Sequence, residues 1–367
     1  MSWIALTDLN APVFNIRGIG VSADAPGARP PMQPDEILPR GTMMLELRFN
    51  VEPDEARALI AYRRRRDWLR EMYVTLDGSG RLKMSFRQGR NRSNAELRFP
   101  VPSRDSRMRI TFAWNAPERS GHVTVELLDE GRMFQTTVCA PVPLPPEDIR
   151  VMIRNGRRTE IAPILSYLAF SDTVEPVGFG TGIAAGTAVE TPEGPRPVDK
   201  LRLGDTVITA AAGPQPVRWI GKREVPALGA FRPVRLRAPF FGLAGDVLMA
   251  PDHRIRVDRA EAEYMFGTDD ILMPAGHLVN GKHARREGKA RLVSYYQVLL
   301  DVHDCLLHDG VWAESLFVGT IARRPDVART TVLGEMPASA IPEHRNFARH
   351  QLNDFEARSL AASLQHA

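Results

Sequence analysis

The sequence predicts an all-β protein: a jelly-roll-like β-sandwich, then a second, curved all-β module, then a short C-terminal helix. Three observations predict it. Between about Gly41 and Asp172 apolar and polar residues alternate with period two over at least seven short runs. From Thr181 to Thr320 short apolar runs are again punctuated by Gly, Pro and Asp. Between them, residues 173–182 hold three of the chain's glycines and a proline in ten positions, which resist regular structure and mark a boundary.

In the first module the runs 42–50, 72–77, 81–88, 95–100, 108–115, 122–130 and 164–172 read as half-buried strands. Asp77-Gly78-Ser79-Gly80 is a hairpin turn and Asn115–Gly121 a longer one. Residues 52–71 have a more helical period and are expected to form a helix or cap inserted between strands. The run Arg63-Arg64-Arg65-Arg66 inside that segment is expected to be solvated. The expected division is 1–174 for the sandwich, 175–182 for the connector, 183–321 for the second module and 322–367 for the tail. In the tail, Pro342 sits where a first helical turn would place it, and Phe347, Leu352, Phe355 and Leu360 recur as a helical stripe.

Size and composition set the outer limits. The 367 residues, 43% hydrophobic and 25% charged, suit two soluble globular cores. No apolar run reaches the roughly 18 residues of a membrane span, so none is expected. The first residues show no basic segment followed by an apolar core, so no secretory leader is expected; the location is cytoplasmic by default, with leaderless export open. Two cysteines, Cys139 and Cys305, exclude a disulfide framework and a cysteine-rich metal site. The pI of 9.2 accompanies a formal charge of only +4, too small to argue for nucleic acid.

The first module resembles the concanavalin A/laminin-G jelly rolls in its strand rhythm, in the run 110–115 followed by a turn and the strand 125–129, and in the closing Tyr167–Asp172. That resemblance makes a glycan-binding face one option, with Trp114, Trp68 and Tyr73 as its candidate residues. The alternative is core packing.

The second module carries several blocks in order: Ala185-Gly186-Thr187, Thr191-Pro192-Glu193-Gly194, Leu201-Arg202-Leu203-Gly204-Asp205, Val217-Arg218-Trp219-Ile220-Gly221, Ala250-Pro251-Asp252-His253-Arg254, Pro274–Gly281 and Tyr295–His303. Together they resemble the Hint (hedgehog/intein) fold of bacterial fusion proteins. The resemblance implies a flattened β-disc whose ends meet at a central cleft. It implies intramolecular self-cleavage: a cysteine or serine at the start attacks the preceding carbonyl, an acyl shift forms a thioester or ester, and a histidine helps the peptide nitrogen depart.

Here the pattern departs. Counting back from Gly186-Thr187, the nucleophile position falls on Gly182, and the helper hydroxyl position falls on Ala250. The late aspartate of splicing relatives reads Gln297, and a terminal His-Asn pair is missing. His253, His277, Asp301 and His303 are retained, with Asp301 and His303 expected on one side of a strand. Thr181 would replace the nucleophile by a one-residue slip, and Thr187 is a second hydroxyl. His253, Asp301, His303 and Thr181 are thus the catalytic candidates, and His277 is expected to be structural. No metal and no cofactor are expected.

Three functions remain open. One is a binding or structural protein with an unknown protein or glycan partner, and no activity on a separate substrate. The second is self-processing near Gly180–Gly182, and the third a carbohydrate-binding sandwich.

Overall fold

A computed structural model describes all residues except 1–2, 23–29, 31–32, 34–35, 51–55, 103, 269, 289 and 365–367. The chain forms two compact units, Met1–Val177 and Gly178–Ala367. Among the described residues no helix is long and apolar enough to cross a membrane.

The first unit is an antiparallel sandwich. One sheet orders its strands as 132–137, 120–127, 106–115, 40–49, 165–171, 3–7 and 13–14. The other runs 159–161, 57–65, 69–76, 81–88 and 91–98. Period two sends Leu45, Ile110, Phe112 and Val125 inward from one sheet and Ile60, Met72, Val74 and Phe86 from the other. Phe86 and Phe112 stack across the core with ring centroids 4.5 Å apart. The Asp77–Gly80 turn forms as expected, with the Asp77 carboxylate accepting from the amides of Ser79 and Arg81 and Gly80 at φ +77°.

The expected helix over 52–71 is a strand hairpin instead: Arg57–Arg65 pairs with Leu69–Leu76, and residues 51–55 lie outside the described ones. Alternation is present but disguised by charge. Arg64 is turned inward to Glu147 and Asp148 at 2.9 and 3.4 Å, and Arg70 meets Asp148 at 3.1 Å. An arginine on the buried face reads as polar and breaks the pattern. The basic run is therefore only partly solvated, since the Arg63 side chain is 69% exposed and that of Arg64 10%.

In the second unit one sheet runs 219–226, 292–299, 183–184, 247–249, 234–236 and 284–286. Another runs 213–216, 206–209, 305–308, 311–314, 254–258, 270–274 and 350–351, and 188–191 pairs with 194–197. Val189, Val207, Val247, Ile255, Met273 and Ala313 are among the apolar side chains of its core. Its tight reversals use the predicted residues. Asp205 accepts from the Arg202 amide and from Arg196, both at 2.8 Å, while Gly204 adopts φ +86°.

The tail helix spans Asp354–Leu364, so the expected stripe is corrected. Phe347 lies ahead of the helix, stacked on Phe317 at 3.9 Å. Leu352 and Leu360 are buried, Phe355 is 72% exposed, and Pro342 begins no helix. The contacts of Phe347 with Phe317, His303 and Arg254 outweigh the helical spacing.

Candidate functional site

The short strand Ile183–Ala184 is bonded on both sides, to Val247–Met249 and to Leu292–Leu299. The residues just before it are consequently delivered between the loop after Met249 and the end of the long strand 292–299. There the Thr181–Gly182 peptide is held at both of its polar groups. The Gly182 N–H donates to His253 Nδ1 at 3.2 Å, and Gln297 Nε2 donates to the Thr181 carbonyl at 2.6 Å. The next carbonyl, that of Gly182, accepts from the Ala250 amide at 2.8 Å.

The segment leading in is pinned as well. Gln297 Nε2 also reaches the Phe179 carbonyl at 2.7 Å, and Arg223 donates to the Gly178 carbonyl at 2.6 Å. Glycine-rich as it is, this stretch has no helix or strand, yet the carbonyls of Gly178, Phe179 and Thr181 are all held by side chains.

Gly182 has φ +138°, a conformation that L side chains rarely adopt. A Cβ added there would lie 3.0 Å from both Tyr295 Cβ and the Tyr296 carbonyl oxygen, and 3.4 Å from Gln297 Cγ. A side chain at Gly182 is therefore disfavoured twice, by backbone conformation and by its neighbours. At the expected helper position Ala250 has a methyl side chain, and its amide serves the segment.

His253 is fixed by a tight turn, its amide bonded to the Ala250 carbonyl and its carbonyl to the Ala275 amide. Because Nδ1 accepts from Gly182, the ring is the neutral tautomer protonated at Nε2. Burial pushes its pKa down to about 4; neighbouring Arg254 and His303 act the same way, and Glu314 opposes them. At pH 7 such a group is protonated in only about one molecule in 10³.

Behind it lies a buried charge cluster that the sequence did not announce. Glu314 accepts from the Arg254 amide at 3.0 Å and from its guanidinium at 3.1 Å, with His303 Nε2 at 3.7 Å and His253 Nδ1 at 4.0 Å. Burial works against ionisation of Glu314, but Arg254 and the two histidines override it and hold its pKa down at about 2. His308 donates from Nδ1 to the Ala188 carbonyl at 3.1 Å, and burial pushes its pKa down to about 3. Thr181, His253, Gln297, His308 and Glu314 line a small cavity with room for about one water molecule. The Nε2 atoms of His253 and His308 and the Oε1 of Gln297 are buried without a hydrogen-bond partner among the described residues.

The remaining candidates divide clearly. His303 is buried in this cluster, accepting from the Ala348 amide at 2.9 Å. Asp301 is not with it. The two lie in an irregular stretch after the strand ending at Leu299, not on a strand, and Asp301 faces outward in a 2.5 Å pair with Arg218. A sharp bend ends the alternation that would have put them on one side.

His277 sits 3.4 Å from Asp354, at the start of the tail helix. The Thr181 hydroxyl is 3.5 Å from Gln297 Nε2. Thr187 lies in the turn after Ala184, its amide on the Ala184 carbonyl, away from the held peptide. Among the described residues no group of three or more His, Cys, Asp or Glu is placed to hold a metal ion.

In the first unit Trp114 is fully buried, its indole donating to the Leu38 carbonyl at 3.1 Å, so it cannot face a glycan. Its ring fills the core because strand 106–115 is central in its sheet. Trp68 is 40% exposed and Tyr73 37%.

Gln297, Glu314, Arg254, Arg223 and His308 are the site residues that sequence reasoning missed. Gln297 was visible as a departure from the family pattern, but its two carbonyl partners lie 118 and 116 residues away in sequence and leave no local signal.

A family model described as the Hint domain matches residues 181–320. Among solved structures the chain is similar to the gp41-1 intein at 10% identity, covering 37% of this chain and 98% of that one with a TM-score of 0.26. It is similar to a bacterial intein-like domain from Clostridium thermocellum at 17% identity, covering 37% and 98% with a TM-score of 0.28. A third similarity is to the CBM40 module of a Ruminococcus gnavus IT-sialidase, at 9% identity, covering 36% and 63% with a TM-score of 0.22. No curated protein matches.

Proposed function

We propose that this chain, whose residues 181–320 form a Hint domain, is a two-module binding or structural protein in which the domain has lost self-cleavage. Its first module is read with it as a concanavalin A/laminin-G-like partner, on strand rhythm. The observation that carries the reading is Gly182. The acyl shift needs a side-chain nucleophile one residue after the attacked carbonyl. Gly182 supplies none, and its positive φ and the 3.0 Å contacts work against placing one there.

What remains is a peptide clamp. His253 and Gln297 bind the two ends of the Thr181–Gly182 peptide, as leaving-group and oxyanion partners would. Without a nucleophile those bonds fix the first strand of the domain in place.

Thr181 does not fill the gap. Its hydroxyl precedes the clamped peptide; the peptide open to its acyl shift is Gly180–Thr181, whose leaving nitrogen is that of Thr181. His253 is bonded instead to the nitrogen of Gly182, one residue out of frame.

Hydroxylamine and dithiothreitol open esters and thioesters. Intact-mass analysis of the full chain after brief treatment with either reagent should return one unchanged mass. Reagent-dependent fragments ending at Gly180 or Thr181 would mean that an acyl shift still occurs, and Thr181→Ala would then say which hydroxyl performs it.

A further inference from the structure

The five-stranded sheet of the first unit has one face in the core and one in water. Met72 and Val74 point into the core, so Tyr73 between them stands on the outer face. Pairing places Ala61 on one side of Tyr73 and Ser85 on the other, with Asn94 next beyond Ser85. Ala61 and Ser85 are too short to cover a ring, and Tyr73 stays 37% exposed.

The adjacent row on the same face reads Arg63, Glu71, Arg87 and Arg92. Glu71 lies 3.3 Å from Arg63 and 3.6 Å from Arg87, so this row keeps an excess of positive charge. Arg92 and the Asn94 side chain are exposed and make no ion pair or side-chain hydrogen bond to another described residue. From Tyr73 to Asn94 is two strand spacings, about 10 Å, and the rows are about 7 Å apart.

From this juxtaposition we propose that the outer face around Tyr73 binds an acidic polysaccharide, a sugar ring stacking on Tyr73 while Arg92 and Arg87 take its carboxylate or sulfate. The mixture of groups selects that class. An aromatic ring flanked by small residues offers a flat apolar platform, and Asn94, Ser85 and Glu71 suit hydroxyl groups as donors and acceptors. A single-stranded nucleic acid would stack successive bases on several rings, and these two rows hold one. A lipid surface would need more apolar contact than one ring gives. The site lies in the first unit and stands whether or not the Thr181–Gly182 peptide is ever cut.

The test is affinity electrophoresis of the full chain through gels containing polygalacturonate, heparin or neutral dextran, with a single-stranded oligonucleotide as competitor. Retardation is expected with polygalacturonate or heparin; retardation by polygalacturonate shows that carboxylate suffices, and retardation by heparin alone that sulfate is required. Tyr73→Ala and Arg92→Glu should each weaken it at least tenfold with unchanged thermal unfolding, while Arg345→Glu, an exposed charge change in the second unit, should not. The proposal is overturned by no retardation in either acidic polysaccharide, by retardation that survives both substitutions, by equal retardation in dextran, or by displacement of the glycan by the oligonucleotide at matched charge.

Discussion

Replacing Gly182 by cysteine restores the residue type that the acyl shift requires, and the geometry predicts that it restores no cleavage. The new Cβ would stand 3.0 Å from Tyr295 Cβ and from the Tyr296 carbonyl. Both neighbours belong to the strand Leu292–Leu299, which is paired along its length with Trp219–Pro226 and cannot shift alone. Forcing a side chain at φ +138° costs on the order of 1–3 kcal/mol, and the overpacking about 1–3 kcal/mol more. Partial relaxation leaves a net loss of about 2–4 kcal/mol. For a unit of this size that lowers the midpoint by roughly 4–16 °C. Thermal unfolding monitored by circular dichroism, with intact mass recorded on the same sample, reads both quantities. A variant as stable as the parent would refute the claim that a side chain is disfavoured there. A stable variant that also cleaves in dithiothreitol would show that only the side chain was missing.

Three further predictions follow from the same neighbourhood and from the sandwich. Glu314→Gln strips Arg254 of its buried carboxylate and should cost about 3–5 kcal/mol in urea unfolding; a loss under 1 kcal/mol would mean the pair is not formed. His253 and His308 fold as neutral rings, with pKa values depressed to about 4 and 3 against about 6.5 unfolded. The unfolded chain therefore binds more protons below pH 6.5, so stability should fall as pH drops from 6.5 toward 4. His308→Gln, which keeps a donor for Ala188, should flatten that slope, and an unchanged slope would remove His308 from the account. Trp114→Phe removes the donor to the Leu38 carbonyl and should destabilise the sandwich by about 1–3 kcal/mol, measured by the shift in its urea midpoint.

How much of this was legible in the sequence depended on whether a signal was local. Strand alternation and turn chemistry are local. Runs such as 81–88 and 108–115 and turns such as Asp77–Gly80 and Leu201–Asp205 could be read directly. Alternation failed at 57–65 because Arg64 faces inward against Glu147 and Asp148, a pairing across more than 80 residues.

In the second unit the resemblance located Gly182, Ala250 and His253, three positions that the fold brings together around the backbone of Gly182. It could not show what Gln297 does in place of an aspartate. Nor could it foresee Glu314, whose role depends on burial beside Arg254. The Asp301/His303 pair failed because one bend after Leu299 sends the two side chains to different environments.

The central claim is that the Thr181–Gly182 peptide is clamped and never cut, by an internal hydroxyl or by water. Its most direct test is the intact mass of the purified full chain after a day at pH 5, 7 and 9 without added nucleophile. A single mass equal to that of the starting chain at all three pH values is the predicted result. Two fragments divided between Thr181 and Gly182, together exceeding the parent by one water, would contradict it and make the clamp an active site.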